Sequence, residues 1–359
     1  VDACEFLSTS INYDNIIVEL ITRLIVLIPV SVADRNSVQS AKSLLLIHFP
    51  PSTFYFLLNS EVPMLIAVTG GTGFVGRAVV SELLGRGHEV RILARKAPAK
   101  PPGDNLSYYK GSVVTGEGLD PFVKGADAVI HLVGIIREAG TNTFDAVHSR
   151  GTMRVVETAL RHNVQRYVHM SALGTRENAV STYHQTKWAG EEAVRASGLA
   201  WTIFRPSIIF GQGDEFINML AGVMRLSPVM PVIGGGKNLM QPVAVSDVAA
   251  SFRSAVESME HRSRIYELGG PDVLDFKTIL KTTAKVIGIK RIFIPFPMFL
   301  IKPPVTVLQA MGLPLPVTTD QLSMLSEDNI RKGGDPVEDL GIEWTPFEQG
   351  IREYLVPSA

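Results

Sequence analysis

The sequence predicts a doubly wound α/β fold, a parallel sheet with helices on both faces, followed by a smaller C-terminal lobe. Three observations carry this expectation. A glycine-rich turn, Thr69 to Gly76, lies between the apolar run 64–68 and an amphipathic segment, Phe74–Gly85. Strand-like and helix-like runs then alternate as far as Pro206. Several strand-like runs are largely apolar, as a parallel sheet covered on both faces requires.

The turn comes first in the argument. Gly70, Gly71, Thr72, Gly73, Phe74, Val75 and Gly76 follow an apolar strand and open a periodic helix, and a second strand-like run, Glu89–Ala94, completes the unit. In a dinucleotide-binding turn one glycine makes the tight bend, one lets backbone N–H groups approach a pyrophosphate, and one lets helix pack on strand. The helix N-terminus then favours the negative charge. The expected architecture is therefore a Rossmann fold.

Residues 1–63 differ from the rest. They contain no methionine, although the chain has 11, and the nucleotide-binding strand begins at Met64. Their apolar stretches, 16–32 and 44–58, are broken by Glu19, Arg23 and Pro29 and by His48, Pro50 and Pro51. Neither supplies the ~20 uninterrupted apolar residues of a membrane span. There is no basic n-region, and Asp2, Glu5, Asp14 and Glu19 argue against a transit peptide. The expectation is a poorly packed extension upstream of a functional start at Met64.

Downstream, 106–110, 127–133, 166–171 and 201–205 read as strands, and 144–162 and 182–197 as helices with apolar positions three and four apart. From Pro206 the rhythm breaks at Gly211, Gly213 and Gly234 to Gly236, before apolar runs at 243–245 and 265–268. The expected organisation is a nucleotide-binding domain over 64–205, with 243–270 completing its sheet, and a smaller substrate lobe from 206–242 and 271–359. Within that lobe 292–315 is strongly apolar but carries Pro295, Pro297, Pro303 and Pro304, which disfavours a spanning helix. Burial inside the lobe is the favoured reading of this stretch; an exposed patch meeting a membrane or membrane complex is the alternative.

Composition narrows the function. The 359 residues are 46% hydrophobic and 19% charged with a formal net charge of -1, which offers no electrostatic footprint for nucleic acid. Cys4 is the only cysteine, so no disulfide framework, zinc spacing or thiol nucleophile is expected. No metal site is expected either. A cytoplasmic location fits, with peripheral membrane contact as the extension of the apolar-patch reading.

An NAD-selective site places Asp or Glu about 20 residues beyond the glycine turn. Here that position holds Ala94, Arg95 and Lys96. A guanidinium suits a 2′-phosphate, so NADP(H) is preferred and NAD(H) is second; the bland alternative is a solvated strand-end cation. Tyr183 and Lys187 are four apart on a predicted helix, and Ser171 ends the preceding strand. A lysine ammonium would lower the phenol pKa and make Tyr183 a usable acid or base, with Ser171 bonding a substrate oxygen. The alternative is that Tyr183 and Lys187 only dock a cofactor ribose.

Together, the turn, His131 to Gly134, Ser171, Tyr183 with Lys187, Arg205 to Gly211 and Val245 to Val248 resemble the extended or atypical short-chain dehydrogenase/reductase superfamily. More narrowly, Val133 to Arg137, Asn142 to Phe144, Val147, His148, His169 to Gly174 and Tyr266 to Pro271 resemble the branch holding the nucleotide-binding accessory subunit of respiratory complex I and its bacterial relatives. The resemblance spans 64 to about 329. It implies that Gly70 to Val75 hold the pyrophosphate, that Arg95 lies at the adenosine end, and that Val133 and Gly134 line the ribose side. It also implies that Tyr183, Lys187, Pro206, Ser207, Ile208 and Ile209 surround the nicotinamide. Two positions depart from the pattern: Ser112 follows Gly111 where many members have Asp, and His148 stands where many have Asn. His148 is expected to be a packed helix residue beneath the site. Two functions follow: an oxidoreductase or epimerase acting on a small or lipid-derived substrate, or a non-catalytic nucleotide-holding protein of a membrane respiratory complex.

Overall fold

Thr69, His131 and His169 stand side by side at one edge of a sheet, and that alignment organises the molecule. The computed structural model describes residues 63–96, 103–310 and 318–356. The N-terminal extension, residues 1–62, and the start-site reading attached to it lie outside the described residues, as does 311–315 of the apolar stretch. From Pro63 onward the chain forms one compact unit.

Seven strands form the main sheet: β1 (Leu65–Thr69), β2 (Glu89–Ala94), β3 (Leu106–Lys110), β4 (Ala128–His131), β5 (Arg166–Met170), β6 (Trp201–Pro206) and β7 (Arg264–Leu268). Their order is β7-β6-β5-β4-β1-β2-β3, and every pairing is parallel. The chain winds outward from β1 to β3, then restarts on the other side at β4. Strand order therefore reverses between β1 and β4, where a crevice opens at the strand C-termini.

The longer helices are α1 (Phe74–Gly85), α2 (Leu119–Val123), α3 (Arg150–Arg161), α4 (Thr182–Arg195), α5 (Phe216–Leu226), α6 (Val245–Glu257), α7 (Phe276–Val286), α8 (Met298–Ala310), α9 (Thr319–Met324) and α10 (Phe347–Leu355), with a single helical turn, Val337–Leu340, between the last two. Alternation along the strands assigns the faces. Ile66 and Val68 of β1 and Phe204 of β6 share a core with Val79 of α1 and Phe252 of α6. Ala67, Val129 and Ile203 point the other way and share a core with Phe122, Val155 and Val194. Burying both faces explains why these strands read as continuous apolar runs. The predicted 144–162 helix opens with a π-helical turn, Asp145–Ser149, before α3 begins at Arg150. Such turns cluster at functional sites, and this one carries His148.

A further core gathers Phe210, Ile217, Leu220, Leu280 and Phe347 from α5, α7, α10 and their loops. Asp214 ties it together by accepting from the Ile217 amide at 2.6 Å and the Tyr354 hydroxyl at 2.7 Å. Two sequence expectations need correction here. Of the run 243–270, only β7 enters the main sheet, whereas Val243–Ala244 pairs with Ile209–Phe210 in a separate two-stranded ribbon. The stretch 292–310 is largely outside: Phe293 packs on the lobe core, but Ile292, Ile294, Phe296, Phe299 and Leu300 are all exposed, Phe299 at 72%. Among the described residues no helix is long and apolar enough to cross a membrane.

Candidate functional site

Sterics assign the glycines of the turn. Gly70 has φ +76°, and a Cβ there would stand 3.1 Å from the backbone of Leu132 and Val133. A side chain at Gly76 would lie 2.1 Å from the Gly70 carbonyl oxygen, so α1 can pack on the turn only through a glycine. Gly73 caps α1 without any side-chain hydrogen bond. The first amides of α1 thus lack a side-chain acceptor, beside the exposed Thr72 and Gly73. This cradle fits a pyrophosphate by its shape and by its unpaired donors.

At the end of β2, Arg95 is exposed and forms no hydrogen bond or ion pair among the described residues. Gly111 ends β3, where a Cβ would strike the Glu117 carbonyl oxygen at 2.3 Å. Ser112, in place of the expected Asp, turns its hydroxyl to the Val114 amide at 3.2 Å.

Buried histidines pin the floor of the crevice. Thr152 Oγ1 donates to the His148 carbonyl at 2.7 Å, so it must accept from His131 Nε2–H at 3.1 Å. His131 Nδ1 is then the acceptor for the Thr69 hydroxyl at 2.6 Å. Burial, followed by the Lys187 charge, pushes His131 down to about 3. His148 receives the Ile135 amide on Nε2 at 3.0 Å, which leaves its Nδ1–H to donate to Thr186 Oγ1 at 3.1 Å. It therefore links the loop after β4 to α4. Burial, then Lys187, pushes His148 down to about 2 and keeps the ring neutral. His169 stacks on His131 with ring centres 5.4 Å apart, and both of its ring nitrogens are buried without a partner.

α4 brings Tyr183 and Lys187 to this floor. The Tyr183 ring meets His148 edge-on at 5.2 Å and His184 at 5.1 Å. Lys187 Nζ donates to the Met170 carbonyl at 3.0 Å. A Cβ on Gly134 would sit 3.1 Å from that Nζ and 3.7 Å from His148 Nε2, so the bare backbone of Gly134 is what lets the lysine pack against the loop after β4. Burial lowers Lys187 to about 8 and raises Tyr183 to about 12. The tyrosine shift runs opposite to the lowering expected from the Tyr-x-x-x-Lys spacing. The reason is physical: loss of solvent disfavours phenolate, and the ammonium is turned toward Met170. The phenol therefore keeps its proton at neutral pH, as an ordinary tyrosine does.

Ser171 is buried at the end of β5, its amide on the Phe204 carbonyl at 2.7 Å. Its hydroxyl reaches Thr175 Oγ1 at 3.4 Å, and Thr175 contacts His184 Nδ1 at 3.2 Å. A hydroxyl chain thus runs from Ser171 to the neighbour of Tyr183. Burial lowers His184 to about 4. Pro206 ends β6 and Ser207, Ile208 and Ile209 follow it, but the Ser207 hydroxyl is committed to the Asn329 carbonyl and side chain.

Sequence reasoning missed the residues that hold this loop. Asp320 accepts from the Thr182 and Tyr183 amides at 3.1 and 3.2 Å, capping α4 together with Ser181, which accepts from His184 N. Arg176 pairs with Glu327 through two bonds of 2.8 and 3.0 Å, and Asn329 Nδ2 donates to the Leu173 carbonyl at 3.3 Å. Glu191 of α4, fully buried, accepts from Arg205 at 2.8 and 2.6 Å and from Arg195 at 2.8 Å. Apart from the i, i+4 pair Glu191 and Arg195, no spacing rule joins residues so far apart in the chain; only Thr318, Thr319 and Asp320 before Leu322 mark a capping segment.

A reversed parallel sheet with a glycine cradle at its switch point defines a nicotinamide-nucleotide-binding protein. The comparisons agree. Residues 70–216 match the NAD(P)H-binding family model and 175–332 the RmlD substrate binding domain. The chain is 32% identical to a ceramide reductase of Caulobacter vibrioides, over 65% of this chain and 74% of that protein. It is 28% identical to the mitochondrial NADH dehydrogenase [ubiquinone] 1 alpha subcomplex subunit 9 of Arabidopsis thaliana, over 76% and 72% of the two chains. In fold it resembles the dTDP-glucose 4,6-dehydratase DesIV of Streptomyces venezuelae, with TM-score 0.63 at 19% identity over 81% of this chain and 96% of that one. The chain belongs to the extended short-chain dehydrogenase/reductase superfamily, in the branch that includes the complex I accessory subunit.

Proposed function

We propose that this protein is an NADP(H)-dependent oxidoreductase that reduces a carbonyl on a small or lipid-derived substrate. Tyr183 is the proton donor, Lys187 the ribose and charge partner, and Ser171 the group that orients the substrate oxygen. The observation that carries this reading is the placement of buried Lys187 Nζ against the Gly134 backbone, four residues along α4 from Tyr183, whose ring meets His148 edge-on over the buried histidines. When bound, the nicotinamide supplies the hydride. The chain's own residues grip the pyrophosphate through Gly70 to Gly76, meet the adenosine end at Arg95, and deliver a proton from Tyr183 Oη to the substrate oxygen. A phenol that holds its proton at neutral pH can give it to the oxyanion formed in the reducing direction. The similarity to a ceramide reductase supports a lipid-derived substrate.

A second reading is supported by the mitochondrial relatives: a nucleotide-holding component of a membrane respiratory complex, touching the membrane through the exposed 292–310 region. Tyr183→Phe separates the two. For the enzyme, NADPH oxidation with a panel of long-chain ketones falls at least ~100-fold while the NADPH Kd moves less than about twofold. NADPH is expected to bind at least ~10-fold tighter than NADH, through Arg95. Absence of turnover on every carbonyl tested, with intact NADPH binding, would favour the structural reading.

A further inference from the structure

We propose that the outer face of the ribbon formed by Val229–Ile233 and Ile292–Phe296, continued by α8, docks on an anionic lipid bilayer. This deepens the membrane-contact reading above by naming the surface and the lipid charge.

The two strands pair in parallel, with Ile292 opposite Val229, Ile294 opposite Pro231 and Phe296 opposite Ile233. Side chains alternate across such a ribbon. Met230 and Val232 point inward and pack in the lobe core with Phe293. Val229, Pro231, Ile292, Ile294 and Phe296 are exposed. A one-sided ribbon in water would carry polar residues on that face. Here it carries none, so no exposed side chain on it can hydrogen-bond to water or to a protein partner.

The apolar surface continues past Pro297. In α8, Phe299, Pro303 and Val307 lie at successive i, i+4 positions, with Leu300, Pro304 and Leu308 beside them, and all six are exposed. Next to the ribbon's start, Leu226 is 90% exposed.

Charge selects the occupant. Residues 276–319 carry Lys277, Lys281, Lys285, Lys290, Arg291 and Lys302 and no Asp or Glu; residues 216–246 carry Arg225 and Lys237 and again no acid. Of these, Lys285 is already paired with Glu348. Lys290 and Lys302 are exposed, at the ribbon's start and within the α8 stripe. The whole chain has formal net charge -1, so this basic, acid-free stretch is a local departure. An apolar face without hydrogen-bonding side chains, built from segments that carry cations and no acids, matches a bilayer of anionic headgroups. A protein interface would be expected to present hydrogen-bonding groups across its face.

The test is sedimentation of the full chain with vesicles of phosphatidylcholine alone and of phosphatidylcholine with about 30% phosphatidylglycerol. Binding is expected on the anionic vesicles, weakened by high salt. The exposed double variant Phe299→Ser with Leu300→Ser should lower the partition constant at least ~10-fold, and Lys290→Ala with Lys302→Ala several-fold. NADPH titration of the same proteins separates the two claims, because none of these residues belongs to the nucleotide cradle. Unchanged NADPH affinity with no vesicle binding, or with binding indifferent to the Phe299/Leu300 pair, overturns the docking surface and leaves the nucleotide reading intact. A concentration-dependent dimer in solution that the same pair abolishes, with vesicles ignored, also overturns it in favour of a second copy.

Discussion

Replacing Lys187 with methionine is expected to make the protein more stable and its nucleotide site worse. Lys187 is 2% exposed, and its ammonium has one hydrogen bond, to the Met170 carbonyl. Burial lowers it from an ordinary 10.5 to about 8. In the unfolded chain the group keeps its proton up to the ordinary value, so between about pH 8 and 10.5 the unfolded state binds more protons than the folded one. Stability therefore rises with pH across that window: the neutral lysine's contribution is fully present above 10.5 and is lost as pH falls through about 8. The window is worth ~3 kcal/mol at ~1.4 kcal/mol per pH unit. Methionine keeps the length, removes the buried charge and leaves the Met170 carbonyl unpaired at a cost of ~1 kcal/mol. At pH 7 a net gain of ~2 kcal/mol is expected. Urea unfolding of both proteins at several pH values measures it, the difference between them being read so that other titrating groups cancel. The gap should close between pH 8 and 10.5 while the NADPH Kd rises at least ~10-fold. Parallel stability curves across this window, or a variant less stable at pH 7, would refute the reasoning.

Two further outcomes test the scaffold. Gly76→Ala would place a methyl 2.1 Å from the Gly70 oxygen and 2.7 Å from Gly71 Cα, all backbone, so destabilisation of at least ~2 kcal/mol and loss of NADPH binding are expected in urea and fluorescence titrations. Glu191→Gln leaves the Arg205 and Arg195 guanidinium groups facing a neutral amide at a fully buried position. A loss of ~3 kcal/mol or more in urea unfolding is expected, and a near-neutral result would mean that water reaches these arginines.

Much of the site was legible because its motifs are local. The turn from Gly70 to Gly76, Arg95 at a strand end and Tyr183 four residues before Lys187 are spacings within one strand-turn-helix unit or one helix, where covalent neighbours decide geometry. What failed depended on solvent. Spacing argued for a lowered Tyr183, but burial governs it and pushes it up. Hydropathy argued that 292–310 would pack inside, but the lobe core is filled by other residues and leaves Phe299 and Leu300 outside. His148 was expected to be packed, and it is; its role in joining Ile135 to Thr186 could not be read, since no pattern tells which ring nitrogen a distant amide will reach.

The sequence by itself determined the parallel sheet, the nucleotide cradle and the helix that bears Tyr183 and Lys187, because period, turn chemistry and i, i+4 spacing are properties of neighbouring residues. Only the tertiary structure decided that Asp320, 137 positions from the Tyr183 amide it holds, caps that helix and that Asn329 closes on Ser207. It also set the direction in which burial shifts the phenol and the exposure of the apolar ribbon. These depend on which distant segments exclude water from which groups, and desolvation is set by the whole packed assembly rather than by any short stretch of chain.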